Sequence, residues 1–129
     1  MSPRFWIIAG ALLAALGVTA GAVGTHVLKE VLEWPENKLA TFETAVRYQL
    51  YHALGLLLVG ILAHLAPSRW TAAAGWLFLA GIVLFSGGIY AWLFTAQTPF
   101  VQIVPIGGSA WIVGWLLLAA GAWRFGQTA

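Results

Sequence analysis

The three histidines are the residues of this sequence best suited to chemistry. His26, His52 and His64 lie within or beside long apolar runs, where an ionisable side chain is costly and therefore suggests a functional site. Two histidines that meet can coordinate a metal or a haem iron, pass protons or anchor a carboxylate. The simpler alternative for each ring is a structural hydrogen bond to a backbone carbonyl at a helix end.

The second histidine belongs to a patterned stretch. On a helix, Tyr48 and His52 share one face with the small residue Ala45, because residues three or four apart are neighbours on a helix surface. His26 ends the preceding apolar run at a similar depth. We therefore predict a polar cluster of His26, Tyr48 and His52 near one membrane surface. Candidate supporting residues on the approach to this cluster are Glu43, Arg47, Gln49 and Tyr51.

Other catalytic chemistry finds little support in the sequence. The chain has no cysteine, which excludes disulfides and thiolate chemistry. All four acidic residues are glutamates between positions 30 and 43, so catalysis by a carboxylate pair would rest on this one segment. Ser86 and Ser109 lie beside glycines and are more simply packing residues than nucleophiles. The sequence predicts no enzyme and no catalytic residue, and it specifies no metal or cofactor.

The composition places these residues in a membrane. Hydrophobic residues make up 61% of the 129 residues and charged residues 8%, whereas about a quarter of an average soluble domain is charged. A net charge of +2 provides no basic surface for nucleic acid. We therefore expect an integral membrane protein. Its expected partners are the lipid bilayer and either copies of itself or other membrane proteins, and no nucleic acid.

Stretches without charge define the membrane spans. No charged residue occurs over 5–28, 48–68 or 70–123, and a spanning helix needs roughly 20 apolar residues. Prolines and polar residues interrupt the third stretch, so a loop is expected over 95–104. We predict one all-α domain over 1–129, an antiparallel four-helix bundle. Its spans are expected near 5–25, 46–66, 70–95 and 105–123.

The segment 27–45 differs from the spans because it holds six charged residues and Pro35. Asn37 is the expected N-cap of a helix that runs into the second span. Glu43 can pair with Arg47, which lies one turn later on that helix. A short amphipathic segment on the bilayer surface is predicted from Leu28, Val31, Leu32 and Trp34.

Small residues recur every seven positions within the spans. Helices in a bilayer associate through close van der Waals approach, which small residues permit, and a seven-residue spacing gives a gentle left-handed crossing. Because the chain has fifteen glycines, chance is the alternative explanation. The predicted packing residues are Gly10, Gly17, Gly21, Gly24, Gly81, Gly88, Gly107, Gly114 and Gly121.

Four segments resemble the motifs of the domain-of-unknown-function family 423. Residues 21–28, GAVGTHVL, are similar to its GAxGxHxL signature, and residues 44–54, TAVRYQLYHAL, to its TAxxYxxYHAL signature. Residues 85–87, FSG, and 105–108, PIGG, resemble the remaining motifs. Gly88 stands where the family more often has a serine.

The resemblance implies a small bacterial inner-membrane protein of four helices, with relatives in mitochondria, and it implies no established activity. It draws attention to His26 and His52, because both stand inside the family motifs. Small size and glycine-lined helices favour a non-enzymatic packing or assembly component of a membrane complex or homo-oligomer. The alternative is a binding or transport module for an ion, haem or a lipid head group at the cluster of His26, Tyr48 and His52.

The arginines predict the orientation of the chain in the membrane. Basic residues are enriched on the cytoplasmic side. The simple count is a tie, with Lys29, Lys38 and Arg47 on one side and three arginines on the other, and the two short connections break it. The short turn at 67–69 carries Arg69, whereas the connection at 95–104 carries no basic residue. In the orientation that follows, Arg4, Arg69 and Arg124 share the cytoplasmic side, and both termini face the cytoplasm.

Reporter fusions test this orientation. A reporter fused after Ala129 and one inserted between Gln97 and Thr98 should report opposite sides of the membrane, with Ala129 on the cytoplasmic side. A periplasmic signal from the fusion at Ala129 would contradict the prediction.

Overall fold

Helices account for all the regular structure in residues 1–123, the part of the chain that the computed structural model describes. Four long helical segments are apolar enough to cross a membrane, which confirms the expected all-α bundle. Arg124 and Ala129, named in the orientation prediction, lie outside the described residues. In chain order the helices are α1 Pro3–Lys29, α2 Glu36–Leu65, α3 Arg69–Thr95, the short α4 Thr98–Gln102 and α5 Val104–Trp123.

Local residues explain where these helices begin and end. Pro3 occupies the first turn of α1, where its missing N–H has no intrahelical partner to lose. The Ser68 hydroxyl accepts a hydrogen bond from the Trp70 N–H at 3.2 Å and so caps the start of α3. Ala96 ends α3 with a φ of 56°, the left-handed conformation that commonly follows a helix.

The residues expected to form a short amphipathic segment are divided between a helix and a connection. Gly24–Lys29 continue α1 as a π-helical turn, and Leu28 within this turn is only 2% exposed. Burial of Leu28 in the bundle holds this turn in the helix. Val31 and Leu32 remain exposed in the connection, and Trp34 packs partly buried beside the same core.

Two further boundaries differ from expectation because prolines are accommodated at helix starts. Pro35, rather than Asn37, is the N-cap residue of α2. The loop expected over 95–104 is interrupted by α4, in which Pro99 occupies the first turn. Proline is tolerated there because the first N–H groups of a helix have no intrahelical acceptor.

α1 and α2 pack antiparallel along a row of α1 glycines. A Cβ added at any of three of these glycines would come within 2.7–3.0 Å of α2, so a side chain at these positions would force neighbouring atoms to shift. The residue numbers of the contacts on α2 decrease as the residue numbers of the glycines increase, as antiparallel packing requires. The contacts pair Gly10 with Ala53, Gly17 with Leu50 and Gly24 with Phe42.

α3 and α5 form a second antiparallel pair, which also packs closely at glycines. Here a Cβ added at three glycines of α5 would come within 2.5–3.3 Å of α3, and on α3 a glycine receives an indole of α5. The contacts pair Gly107 with Phe85, Gly114 with Phe78, Gly121 with Trp70 and Gly81 with Trp111.

Other glycines complete the packing. Gly88 lies against the Phe100 carbonyl of α4, whereas Gly21 is only half-buried. Three buried glycines fall outside the seven-residue pattern and receive large side chains from neighbouring helices. These contacts pair Gly55 with Phe78, Gly60 with Ile7 and Gly75 with Trp6.

Leucine at Gly17, Gly81 or Gly114 should overpack a contact between helices and destabilise the protein by roughly 1–3 kcal/mol. The measurement is the thermal unfolding midpoint in detergent. Gly21→Leu is the matched control, because a Cβ at Gly21 would lie at an ordinary 3.7 Å from Val46 Cγ1. If all three leucine variants melt like the parent, close helix approach at these glycines does not stabilise the bundle.

Candidate functional site

Both ring nitrogens of His52 are held by protein partners. Its Nδ1 lies 2.7 Å from the Tyr48 carbonyl oxygen, and its Nε2 lies 3.1 Å from Nε1 of Trp115 on α5. A carbonyl only accepts a hydrogen bond and an indole N–H only donates one. Nδ1 therefore carries the proton and donates, while Nε2 accepts. His52 is a neutral ring, 4% exposed, without a free donor or acceptor.

His52 is also part of a stack of nearly parallel rings. Its centroid lies 3.9 Å from that of Trp111, with 4° between the planes, and Tyr48 lies at 13° to Trp111. The Trp111 N–H donates to the Phe78 carbonyl at 3.1 Å, which fixes the orientation of the indole. Tyr48 and His52 are one turn apart on α2, as are Trp111 and Trp115 on α5, so each pair presents one face to the other.

These rings form the wall of a groove between α2 and α5. α2 packs on α1 and α3, and α5 packs on α3, whereas aromatic side chains bridge the gap between α2 and α5. The groove has a volume of about 660 Å³ and an open side. We call it the aromatic groove; its lining includes Tyr48, Tyr51, His52, Gly108, Trp111 and Trp115.

The polar groups of the aromatic groove are few and uncharged. None of its lining residues is Lys, Arg, Asp or Glu. The Thr44 hydroxyl donates to the Ala40 carbonyl at 2.9 Å. Tyr48 and Tyr51 are 40% and 53% exposed, and among residues 1–123 their hydroxyls have no hydrogen-bond partner. Two phenolic hydroxyls are therefore free to bind a ligand or a lipid head group.

The structure brings Tyr48 and His52 together but separates His26 from them. His26 lies exposed in the π-helical turn of α1, with Nδ1 at 3.4 Å from Oε2 of Glu30. Its helix neighbour Gly24 packs against Phe42, which precedes His52 by ten residues, about 15 Å along a helix. The two histidine rings therefore do not form a shared cluster.

The predicted supporting residues have different surroundings. Glu43 and Arg47 are exposed and line a separate hollow of about 310 Å³ beside α1. Within residues 1–123 the contact between His26 and Glu30 is the only one at salt-bridge distance, so the expected pair of Glu43 with Arg47 is not formed. Over the same residues, no group of three or more His, Cys, Asp or Glu side chains is placed to hold a metal ion.

Gln49 is buried and ties three helices together. Its side-chain amide Nε2 donates to the Leu13 carbonyl of α1 at 2.9 Å, and its Oε1 accepts from the Tyr90 hydroxyl of α3 at 2.9 Å. A buried amide without partners is costly in an apolar surrounding. Gln49 therefore supports the site by joining helices rather than by facing a ligand.

A π-helical turn in α3, Ile82–Ser86, lies beside the aromatic groove. The Ser86 hydroxyl is fully buried and donates to the Ala45 carbonyl at 2.7 Å, so it acts as a packing group. Phe85 from the same turn lines the groove. Such turns within α-helices are frequent at functional sites.

Sequence reasoning missed the α5 side of the site. Trp111 and Trp115 were not singled out, although their four-residue spacing matches that of Tyr48 and His52. Two pairs of ring-bearing residues with the same spacing were the available signal in the sequence. This signal identifies a site only when the two helices are known to be neighbours.

The tautomer of His52 is open to direct measurement. Nitrogen NMR of the histidine-labelled protein at neutral pH, with the His52 signals assigned, should show that Nδ1 of His52 is protonated and that its Nε2 is not. Trp115→Phe removes the indole donor and should shift the Nε2 resonance, whereas Trp123→Phe at the exposed end of α5 should not. A protonated Nε2 of His52 in the parent protein would contradict the hydrogen bonding described.

Comparison with known proteins places the chain among membrane proteins. The family model described as "Protein of unknown function (DUF423)" matches residues 20–108. The UPF0382 membrane protein YwdK of Bacillus subtilis (strain 168) is 40% identical over 95% of this chain and 98% of its own length. The UPF0382 membrane protein SSP2132 of Staphylococcus saprophyticus is 41% identical over 94% of this chain and 98% of its own length. No solved structure matches.

The match to the family model includes Tyr48, His52 and Gly108 of the aromatic groove. Four apolar helices and relatives that are named membrane proteins agree on a multi-pass membrane protein. The motif resemblance is thereby confirmed, and the chain belongs to the DUF423 family of membrane proteins of unknown function.

Proposed function

We propose that this protein is a non-enzymatic binding module that holds a neutral, lipid-soluble molecule in the aromatic groove. The observation that carries the proposal is the gap of about 660 Å³ between α2 and α5. Small-molecule sites are typically concavities of about 300–1,000 Å³ with apolar and aromatic walls. Because the groove opens on the side of spanning helices, a ligand can enter it from the lipid phase.

The chemistry of the groove favours a neutral ligand over the ion, haem or lipid head group considered from the sequence. His52 uses one nitrogen on the Tyr48 carbonyl and the other on Trp115, so coordination of a metal would break the bond to Trp115. Glu43 and Arg47, which would attract an ion or a charged head group, line a different hollow.

The glycines that suggested an assembly role are engaged within the chain. Eight of the nine predicted packing glycines are buried, and they lie against other helices of the same molecule. Since small residues provide the surfaces through which helices associate in lipid, few of them are left for contacts with a second copy. Assembly into a homo-oligomer or a larger membrane complex stays a prediction with less support than ligand binding.

We also propose a bacterial inner-membrane location with both termini in the cytoplasm. Arg4 and Arg69 lie at one end of the bundle, because Gly60 near the end of α2 packs against Pro3 and Ile7. Lys29, Lys38 and Arg47 lie toward the other end, so the count of basic residues does not decide the orientation. The short turn with Arg69, against the connection at 95–104 without a basic residue, favours the cytoplasmic side for the first end. The N-terminal half of α2, which holds Tyr48, then belongs to the opposite half of the bilayer.

Native mass spectrometry of the protein released from mild detergent tests ligand binding. The parent should retain a neutral lipophilic molecule, and Gly108→Leu should lose it because leucine fills the groove. A Cβ at Gly108 would lie at an ordinary 3.7 Å from Phe85 Cδ2, so the variant should fold. Gly21→Leu, outside the groove, is the control and should retain the ligand.

Equal ligand retention by the parent and Gly108→Leu would contradict binding in the groove. A visible absorption spectrum and metal analysis of the same preparation separate the alternatives, since haem or stoichiometric metal would favour the ion or haem module.

A further inference from the structure

We infer that the ligand of the aromatic groove is a quinone-type amphiphile, a flat conjugated ring that carries carbonyl oxygens on an apolar tail. The inference rests on the proposed function and names the chemical class of ligand that the groove takes. Three features point to this class: open aromatic ring surface, free polar groups that are hydrogen-bond donors, and a lining without charge.

The ring geometry favours a flat ligand. Tyr48, His52 and Trp111 lie within 4–13° of one another. His52 and Trp111 stack on each other and are 4% and 3% exposed, so Tyr48 is the ring of this set that remains accessible. Tyr48 and Trp115 are 40% and 41% exposed and leave ring surface open. A flat conjugated ring can stack on this open ring surface or meet it edge to face, whereas a saturated chain can only cover it.

The free polar groups favour a ligand with hydrogen-bond acceptors. The hydroxyls of Tyr48 and Tyr51 are donors without a partner among residues 1–123, whereas the Thr44 hydroxyl is already bonded to Ala40. The two tyrosine rings pack against each other with centroids 5.7 Å apart. Carbonyl oxygens on a ligand ring can accept from one or both hydroxyls.

The absence of charge excludes acidic lipids as the preferred ligand. A fatty-acid carboxylate or a phosphate in the groove would have no cationic side chain among the lining residues, and an unpaired charge is costly away from water. A quinone ring is polar at its oxygens but neutral. Its apolar tail can leave the groove through the open side into the surrounding lipid.

Three probes with the same ten-carbon tail test this inference on the full chain in detergent micelles. They are a decyl-substituted benzoquinone, decylcyclohexane and undecanoate. Saturable binding is measured by equilibrium dialysis, and the shift in thermal unfolding midpoint is recorded alongside. We expect saturable binding and an upward shift with the benzoquinone, and at least tenfold weaker binding of the two other probes.

Variants identify the groups by which the groove distinguishes the benzoquinone from the other two probes. Tyr48→Phe and Tyr51→Phe keep the rings and remove the hydroxyl donors. The double variant should bind the quinone roughly three- to tenfold more weakly, which corresponds to the loss of about one hydrogen bond. Tyr90→Phe is the control for loss of a tyrosine hydroxyl outside the groove. It removes the donor to the buried Gln49 and should lower the unfolding midpoint of the ligand-free protein, but the quinone affinity of the folded protein should not change. Gly108→Leu should abolish binding of every probe.

The outcomes separate the two proposals. If decylcyclohexane binds as tightly as the benzoquinone and Gly108→Leu abolishes both, the groove is a binding site but the quinone inference is overturned. The same holds if removal of both hydroxyls leaves the preference for the quinone unchanged, since tyrosines at this depth would then serve only as interfacial anchors. If no probe binds saturably to the parent, the proposed function fails together with the inference.

Discussion

Hydrocarbon gives helices no hydrophobic reason to associate, so this bundle depends on close contact between backbones. Glycines on α1 and α5 remove a Cβ where a neighbouring helix passes, as Gly10 does at Ala53 and Gly107 at Phe85. Buried polar side chains add bonds between helices, among them the Gln49 amide to the Leu13 carbonyl. Such bonds average about 0.6 kcal/mol each in membrane proteins. Together these contacts make two tight pairs, α1 with α2 and α3 with α5.

The aromatic groove follows from the same constraint. Where α2 faces α5, aromatic rings stand between the helices, and the stacked His52 and Trp111 keep the backbones apart. Rings fill part of the gap and leave the remainder open as the groove. A hydrogen bond from Trp115 to His52 ties the two helices across this gap. The looser contact between the helix pairs is thus the place at which we propose that the bundle receives another molecule.

Hydrogen-bond satisfaction decides which polar groups of the site are available. His52 and Ser86 have their donors on backbone carbonyls, and Gln49 is bonded at both ends of its amide. In a medium without water these bonds are hard to give up. Among residues 1–123, the hydroxyls of Tyr48 and Tyr51 are the groove groups without a partner. His52 and Ser86 bond within the protein, so the proposed recognition of a ligand rests on the tyrosines.

The amino-acid sequence determined by itself the helical class, the four spans, the glycine spacing and the common face of Tyr48 and His52. These properties depend on composition and on spacings of three to seven residues, which a helix converts directly into position. The tertiary structure alone decided that His26 stands apart, that Ile82–Ser86 form a π-helical turn and that Trp115 is the partner of His52. The partners His52 and Trp115 are 63 residues apart. Their meeting depends on how α5 sits against α2, and this placement results from the packing of all the helices together, which local spacing does not encode.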